Sequence, residues 1–209
     1  MAKKEHNACS VDAIADIKKL YHAYRHTSDI DRKGLFFSPT CLQICRPTPS
    51  YATTTRGGIV QFLKDAQEGI VPVHNSPSVD AASTPKAPNT LAKGNELEGK
   101  GVYTIRALQP SEYKFGNDEI TAPINLTVKN LEQKAEEENW IGMRVNLWTE
   151  GGAQDTLFVK VQYWWRREVI PEDERLEDEG EIGWRQCLHD IMYLGPKDGT
   201  EVEVGLEVL

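Results

Sequence analysis

Apolar positions recur every three or four residues in the first third of the chain and every second residue in its last third. The stretches WIGMRVNLW (140–148), LFVKVQYWWRREV (157–169) and GWRQCLHDIMYLG (183–195) alternate between two faces and are rich in Val, Ile, Tyr and Trp. That pattern predicts three neighbouring antiparallel strands. Ile141, Met143, Val145 and Leu147 share one face of the first, and Trp140, Arg144, Asn146 and Trp148 share the other. Leu157, Val159, Val161, Tyr163 and Trp165 likewise oppose Phe158, Lys160, Gln162, Trp164 and Arg166. The apolar faces are predicted to meet helices. The mixed aromatic and polar face is too adhesive for plain exposure and predicts contact with a partner.

Upstream, residues 10–26 predict an amphipathic helix. Ser10 is its cap, and Val11, Ile14, Ile17, Tyr21 and Tyr24 form its apolar stripe. After a turn at 28–31, GLFFSPTCLQICRPTP predicts an edge or bulged strand, because Pro39 cannot donate to a central ladder. A second helix follows Thr55, burying Ile59, Phe62, Leu63 and Ala66 and ending at Gly69. Residues 72–100 are rich in Pro, Ser, Ala, Thr and Asn without periodicity, which predicts a mobile insertion. A short strand at Val102–Leu108 comes next, then an irregular connection, then a charged helix capped by Thr127 and running through Glu138.

At 209 residues, with 39% apolar and 27% charged, the chain suits one domain over 1–209 with its core in 10–70 and 102–196. Net charge is −8 and no basic stripe is present, which argues against nucleic acid as a partner. No window is apolar enough to span a membrane, and no secretory signal precedes the first helix, so a cytoplasmic location with reduced thiols is expected. Cys41 and Cys45 share one strand face and read as small buried side chains. His22 and His26 lack a third ligand nearby and read as surface histidines rather than a metal site. Residues 172–181 hold seven carboxylates against one arginine and predict a solvated hairpin loop. No cofactor motif is present, and neither metal nor cofactor is expected.

The order of elements, with LYHAYRHTSDID, GLFFSPTCLQICRPTP, RGGIVQFLKD, WIGMRVNLW and GWRQCLHDIMYLG, resembles the nuclear-transport-factor-2-like superfamily. Within it the chain is most similar to SnoaL-like polyketide cyclases, their fungal members above all. The resemblance implies an α+β fold, with a strongly curved, mostly antiparallel sheet wrapped as a cone around N-terminal helices. It implies an apolar pocket lined by Tyr21, Tyr24, Phe62, Met143, Val145 and Tyr163. It also implies a homodimer formed through the outer sheet face at Arg144, Trp148, Gln162 and Trp164.

The resemblance further implies a small apolar ligand such as a polyketide or terpenoid. The protein is then either a cofactor-independent cyclase or isomerase, or a non-catalytic dimeric binding or scaffold module of the same fold. The last strand offers two ionisable neighbours, His189 and Asp190, and strand alternation lets only one face the interior. Alternation groups His189 with Cys187, Ile191 and Tyr193 as the inward set. The resemblance favours Asp190, since the cyclase base is a late-strand aspartate. A bland arrangement is also open, with Asp190 paired to Arg144 or Arg185 and His189 hydrogen-bonded inside the core.

Overall fold

A computed structural model describes residues 11–71, 100–151, 157–177, 179–202 and 207–208. Among the described residues the α-helices are α1 (Val11–His26), α2 (Ile30–Gly34), α3 (Arg56–Gln67), α4 (Asp118–Thr121) and α5 (Val128–Glu137). The strands are β1 (Phe37–Cys45), β2 (Lys100–Ala107), β3 (Ile141–Glu150), β4 (Leu157–Val169), β5 (Ile182–Pro196) and the short β6 (Glu207–Val208). They form one open, curved α+β sheet in the order β1-β5-β4-β3-β2-β6. All pairs are antiparallel except β1 with β5.

Helix ends lie where side-chain caps are available. Thr55 accepts from the Gly58 backbone N–H at 3.2 Å, and Thr127 accepts from that of Asn130 at 3.2 Å. The turn expected at 28–31 instead opens α2, because Asp29 caps it through the Arg32 N–H. Ser10 and residues 72–99 of the expected 72–100 insertion lie outside the described residues, and β2 begins at Lys100. Strand β1 is an edge strand, as Pro39 requires, and its register to β5 shifts between Phe37 and Leu42.

The two sheet faces bury different layers. On the inner face, Ile17, Tyr21 and Tyr24 of α1 and Ile59 of α3 pack on Phe37, Ile105, Met143, Val145, Tyr163 and Trp165. Tyr21 sits 5.1 Å from the Tyr163 ring and 5.4 Å, edge-on, from Tyr103. On the outer face, Trp164 is enclosed by Tyr113, Phe115 and Trp140, with centroids 5.2, 4.8 and 6.4 Å away. Leu108, Ile124 and Leu131 complete this second core.

That outer layer corrects the expected subunit surface. Arg144, Trp148, Gln162 and Trp164 are each at most 8% exposed within a single chain. Trp164 lies beneath residues 108–140, Trp148 packs on Val102 and Phe158, and Asn146 beside them donates to the carbonyls of Thr200 and Glu201. The described residues of a single chain already cover this face.

The acidic loop after β4 also differs from the solvated hairpin expected. Glu174 receives two hydrogen bonds from Arg56, both 2.8 Å, and Glu179 pairs with the buried Arg185 at 2.5 and 2.7 Å. Two of its carboxylates therefore tie the loop to α3 and β5.

Candidate functional site

Two bulges in β5 decide which side chains point inward. Leu188 stands opposite Trp164 while Gln186 stands opposite Trp165, so Cys187 is the extra residue. Ile191 stands opposite Val161 while Tyr193 stands opposite Lys160, so Met192 is extra. Cys187 and Tyr193, grouped inward by simple alternation, therefore belong to the outer clusters around Trp164 and Phe158. His189 and Ile191 remain inside, and Gln186 joins them opposite Trp165.

His189 lies flat on Tyr163, with centroids 4.8 Å apart and planes 12° apart, and Phe37 and Phe62 flank it at 6.1 and 6.2 Å. Its Nδ1 is 2.9 Å from Gln43 Oε1, and Gln43 Nε2 donates to the Tyr51 carbonyl at 2.8 Å. The 3-10 turn Pro49–Tyr51 that presents this carbonyl is pinned to β1 by two backbone hydrogen bonds between Gln43 and Thr53. Burial alone pushes the His189 pKa down to about 3, because no charged partner compensates the lost hydration. The imidazole is neutral at physiological pH.

Asp190 faces the other way. Arg46, just beyond β1, donates to it from Nε at 2.9 Å and from Nη2 at 2.6 Å. The carboxylate is fully buried, and burial raises its pKa while the Arg46 guanidinium opposes that rise. The partner is thus Arg46 rather than Arg144 or Arg185. Arg144 adds a favourable field from β3, and Arg185 is engaged by Glu179. A cavity of about 130 Å³, whose lining includes Cys45, Arg46, Ala52, Glu119 and Ile120, lies on the Arg46 side of this pair.

The structure brings Tyr21, Tyr24, Met143, Val145 and Tyr163 together as one packed cluster. Burial raises the phenol pKa values of Tyr21, Tyr24 and Tyr163, so all three stay protonated. Phe62 marks the boundary of this cluster. Beyond it, around Phe62 and Ile191, Leu63, Val159 and Leu194 are only half-buried, as is Leu147 at the margin of the tyrosine cluster. A separate cleft of about 350 Å³ opens at the far end of the sheet between Asp12, Asp16, Arg167 and Trp184.

His22 and His26 lie with ring centroids 4.2 Å apart and planes tilted by 56°, and His22 Nδ1 is 2.7 Å from the Tyr103 hydroxyl. Among the described residues no group of three His, Cys, Asp or Glu side chains is placed to hold a metal. Cys41, Cys45 and Cys187 are buried free thiols, and burial raises the pKa of each. No described helix is long and apolar enough to cross a membrane.

Gln43 and Arg46 are the residues that sequence reasoning missed. Their signal was present: a single amide inside the apolar run CLQIC, and an arginine directly after it. What local spacing could not supply was the partner of each, some 146 and 144 positions away.

Tyr21, Tyr24, Met143, Val145 and Tyr163, expected to line a pocket, instead pack against one another in the core of the chain. No curated protein and no solved structure matches it. A family model described as a SnoaL-like domain matches residues 6–209, nearly the whole chain, and the protein therefore belongs to the SnoaL-like domain family.

Proposed function

We propose that this protein is a non-catalytic small-molecule-binding module that takes an apolar ligand on the inner sheet face, at Phe62, Leu63, Leu147, Val159 and Leu194 beside His189. The observation that carries this reading is the change in burial along that face. Inward side chains around Tyr21 and Tyr163 are sealed, whereas the leucines and valine beyond Phe62 remain half-buried. Apolar surface left partly open beside a packed core is the kind of surface a ligand covers.

The acid–base requirements of a cyclase or isomerase find little support in the same region. A base should titrate near the operating pH, and burial holds His189 far below it. Asp190 is separated from the inner face by the sheet and neutralised by Arg46.

The test is saturation binding of the apolar fluorescent probe N-phenyl-1-naphthylamine to the purified chain and to Val159→Trp. The expected result is one probe per wild-type chain and at least tenfold weaker binding by the variant, with an unchanged melting temperature. Binding that ignores Val159→Trp would place the ligand elsewhere.

A further inference from the structure

The geometry points to Gln43 and His189 as a specificity device that selects ligands carrying a hydroxyl or other hydrogen-bond donor over wholly apolar ones. This inference rests on the ligand seat proposed above and adds the chemistry of what the seat recognises.

Tyr51 fixes the orientation of the Gln43 amide. The Tyr51 carbonyl can only accept, so the Gln43 group 2.8 Å from it must be the NH₂, which leaves Oε1 directed at His189. An amide oxygen has no proton to give. The 2.9 Å contact therefore requires His189 to donate from Nδ1–H to Gln43 Oε1. A neutral imidazole protonated at Nδ1 is unprotonated at Nε2, so that nitrogen is an acceptor and cannot act as a donor. It has no hydrogen-bond partner among the described residues.

The relay is rigid at every link. Tyr51 is held by the paired Gln43–Thr53 backbone bonds, Gln43 is fully buried, and the imidazole is clamped between Tyr163, Phe37 and Phe62. Protonation would relieve the need for a donor, but burial disfavours it. The result is one fixed acceptor in an aromatic surrounding. An alcohol or phenol satisfies it, while a hydrocarbon of the same shape leaves it bare at the usual cost of an unmade buried hydrogen bond.

Two measurements test this. Long-range ¹H–¹⁵N correlation on histidine-labelled protein should show His189 as the Nδ1–H tautomer from pH 8 to pH 5, and Gln43→Leu should abolish that preference. Binding of 2-naphthol should be about five- to tenfold tighter than binding of naphthalene, the increment of one hydrogen bond. In Gln43→Leu and His189→Phe the preference should fall below about twofold. An Nε2–H tautomer, or equal affinity for the two probes in wild type, overturns the inference while leaving the ligand seat standing. Failure of both probes to bind overturns the seat and this inference with it.

Discussion

His189 and Asp190 are adjacent in sequence and lie on opposite faces of the sheet, one stacked on Tyr163 and the other locked to Arg46. Strand geometry makes this separation unavoidable, because neighbouring residues of a strand point to opposite sides. The two ionisable groups therefore answer to different physics. The imidazole has lost its charge to burial, whereas the carboxylate is held by a two-pronged guanidinium contact. They cannot act together on one bound molecule.

Removing Arg46 should be costly, because Asp190 is fully buried and would be left without its partner. Arg46→Met is expected to lower unfolding free energy by about 3 kcal/mol, and Arg46→Met with Asp190→Leu should recover more than half of that. Urea denaturation of the two variants measures it. A single variant within about 0.5 kcal/mol of wild type would mean that the pair does not hold the sheet to the segment after β1.

His189 gives the protein a predictable sensitivity to acid. Its folded pKa of about 3 lies below the ordinary 6.5, so the unfolded chain binds a proton that the native state refuses. The stability this contributes is fully present above pH 6.5 and is lost as pH falls toward 3. The expected slope from this residue is about 1.4 kcal/mol per pH unit through that window. Comparing wild type with His189→Phe at pH 6 and pH 5 isolates the term. Parallel losses in the two proteins would show that the imidazole titrates as it does in water.

The strands and capped helices were legible because their information is local: period two from 140 onward, a stripe at three and four in α1, and threonines at two helix starts. The outer layer was not. Residues 108–126 have no periodicity, yet Tyr113 and Phe115 close over Trp164 and turn an expected exterior into a second core. The inward set of β5 was half legible, since alternation holds between the bulges at Cys187 and Met192 and fails across them. A bulge is a property of the pairing with β4 and leaves little trace in β5 alone. The same applies to Gln43 and Arg46, whose residue types were visible and whose partners were set by the parallel pairing of β1 with β5.

Gly142 reports on how tightly the second core is closed. It stands opposite Trp164, and a Cβ there would run into Leu108 Cδ1 and come within 3.1 Å of the indole. Gly142→Ala is expected to destabilise by about 1–3 kcal/mol through overpacking. Thermal unfolding reads the loss, and near-ultraviolet circular dichroism should register the displaced indole. A neutral effect would mean that the 108–140 segment can lift off the sheet, reopening the face that carries Trp164.

The acidic loop supplies the sharpest contrast between neighbouring carboxylates. Glu179 meets an Arg185 that is 1% exposed, and the pairing holds its pKa below the usual range despite the opposing effect of burial. Glu177, two positions earlier, is exposed. Neutralising the first strands a buried guanidinium, while neutralising the second removes only a solvated charge from a crowded acidic stretch. Glu179→Gln should therefore cost about 2–4 kcal/mol, and Glu177→Gln should stay within about 0.5 kcal/mol of wild type. Lowering the pH should erase the difference only once Glu179 itself protonates, below the normal carboxylate range. Equal effects of the two substitutions at neutral pH would return the loop to the solvated hairpin that its composition suggests.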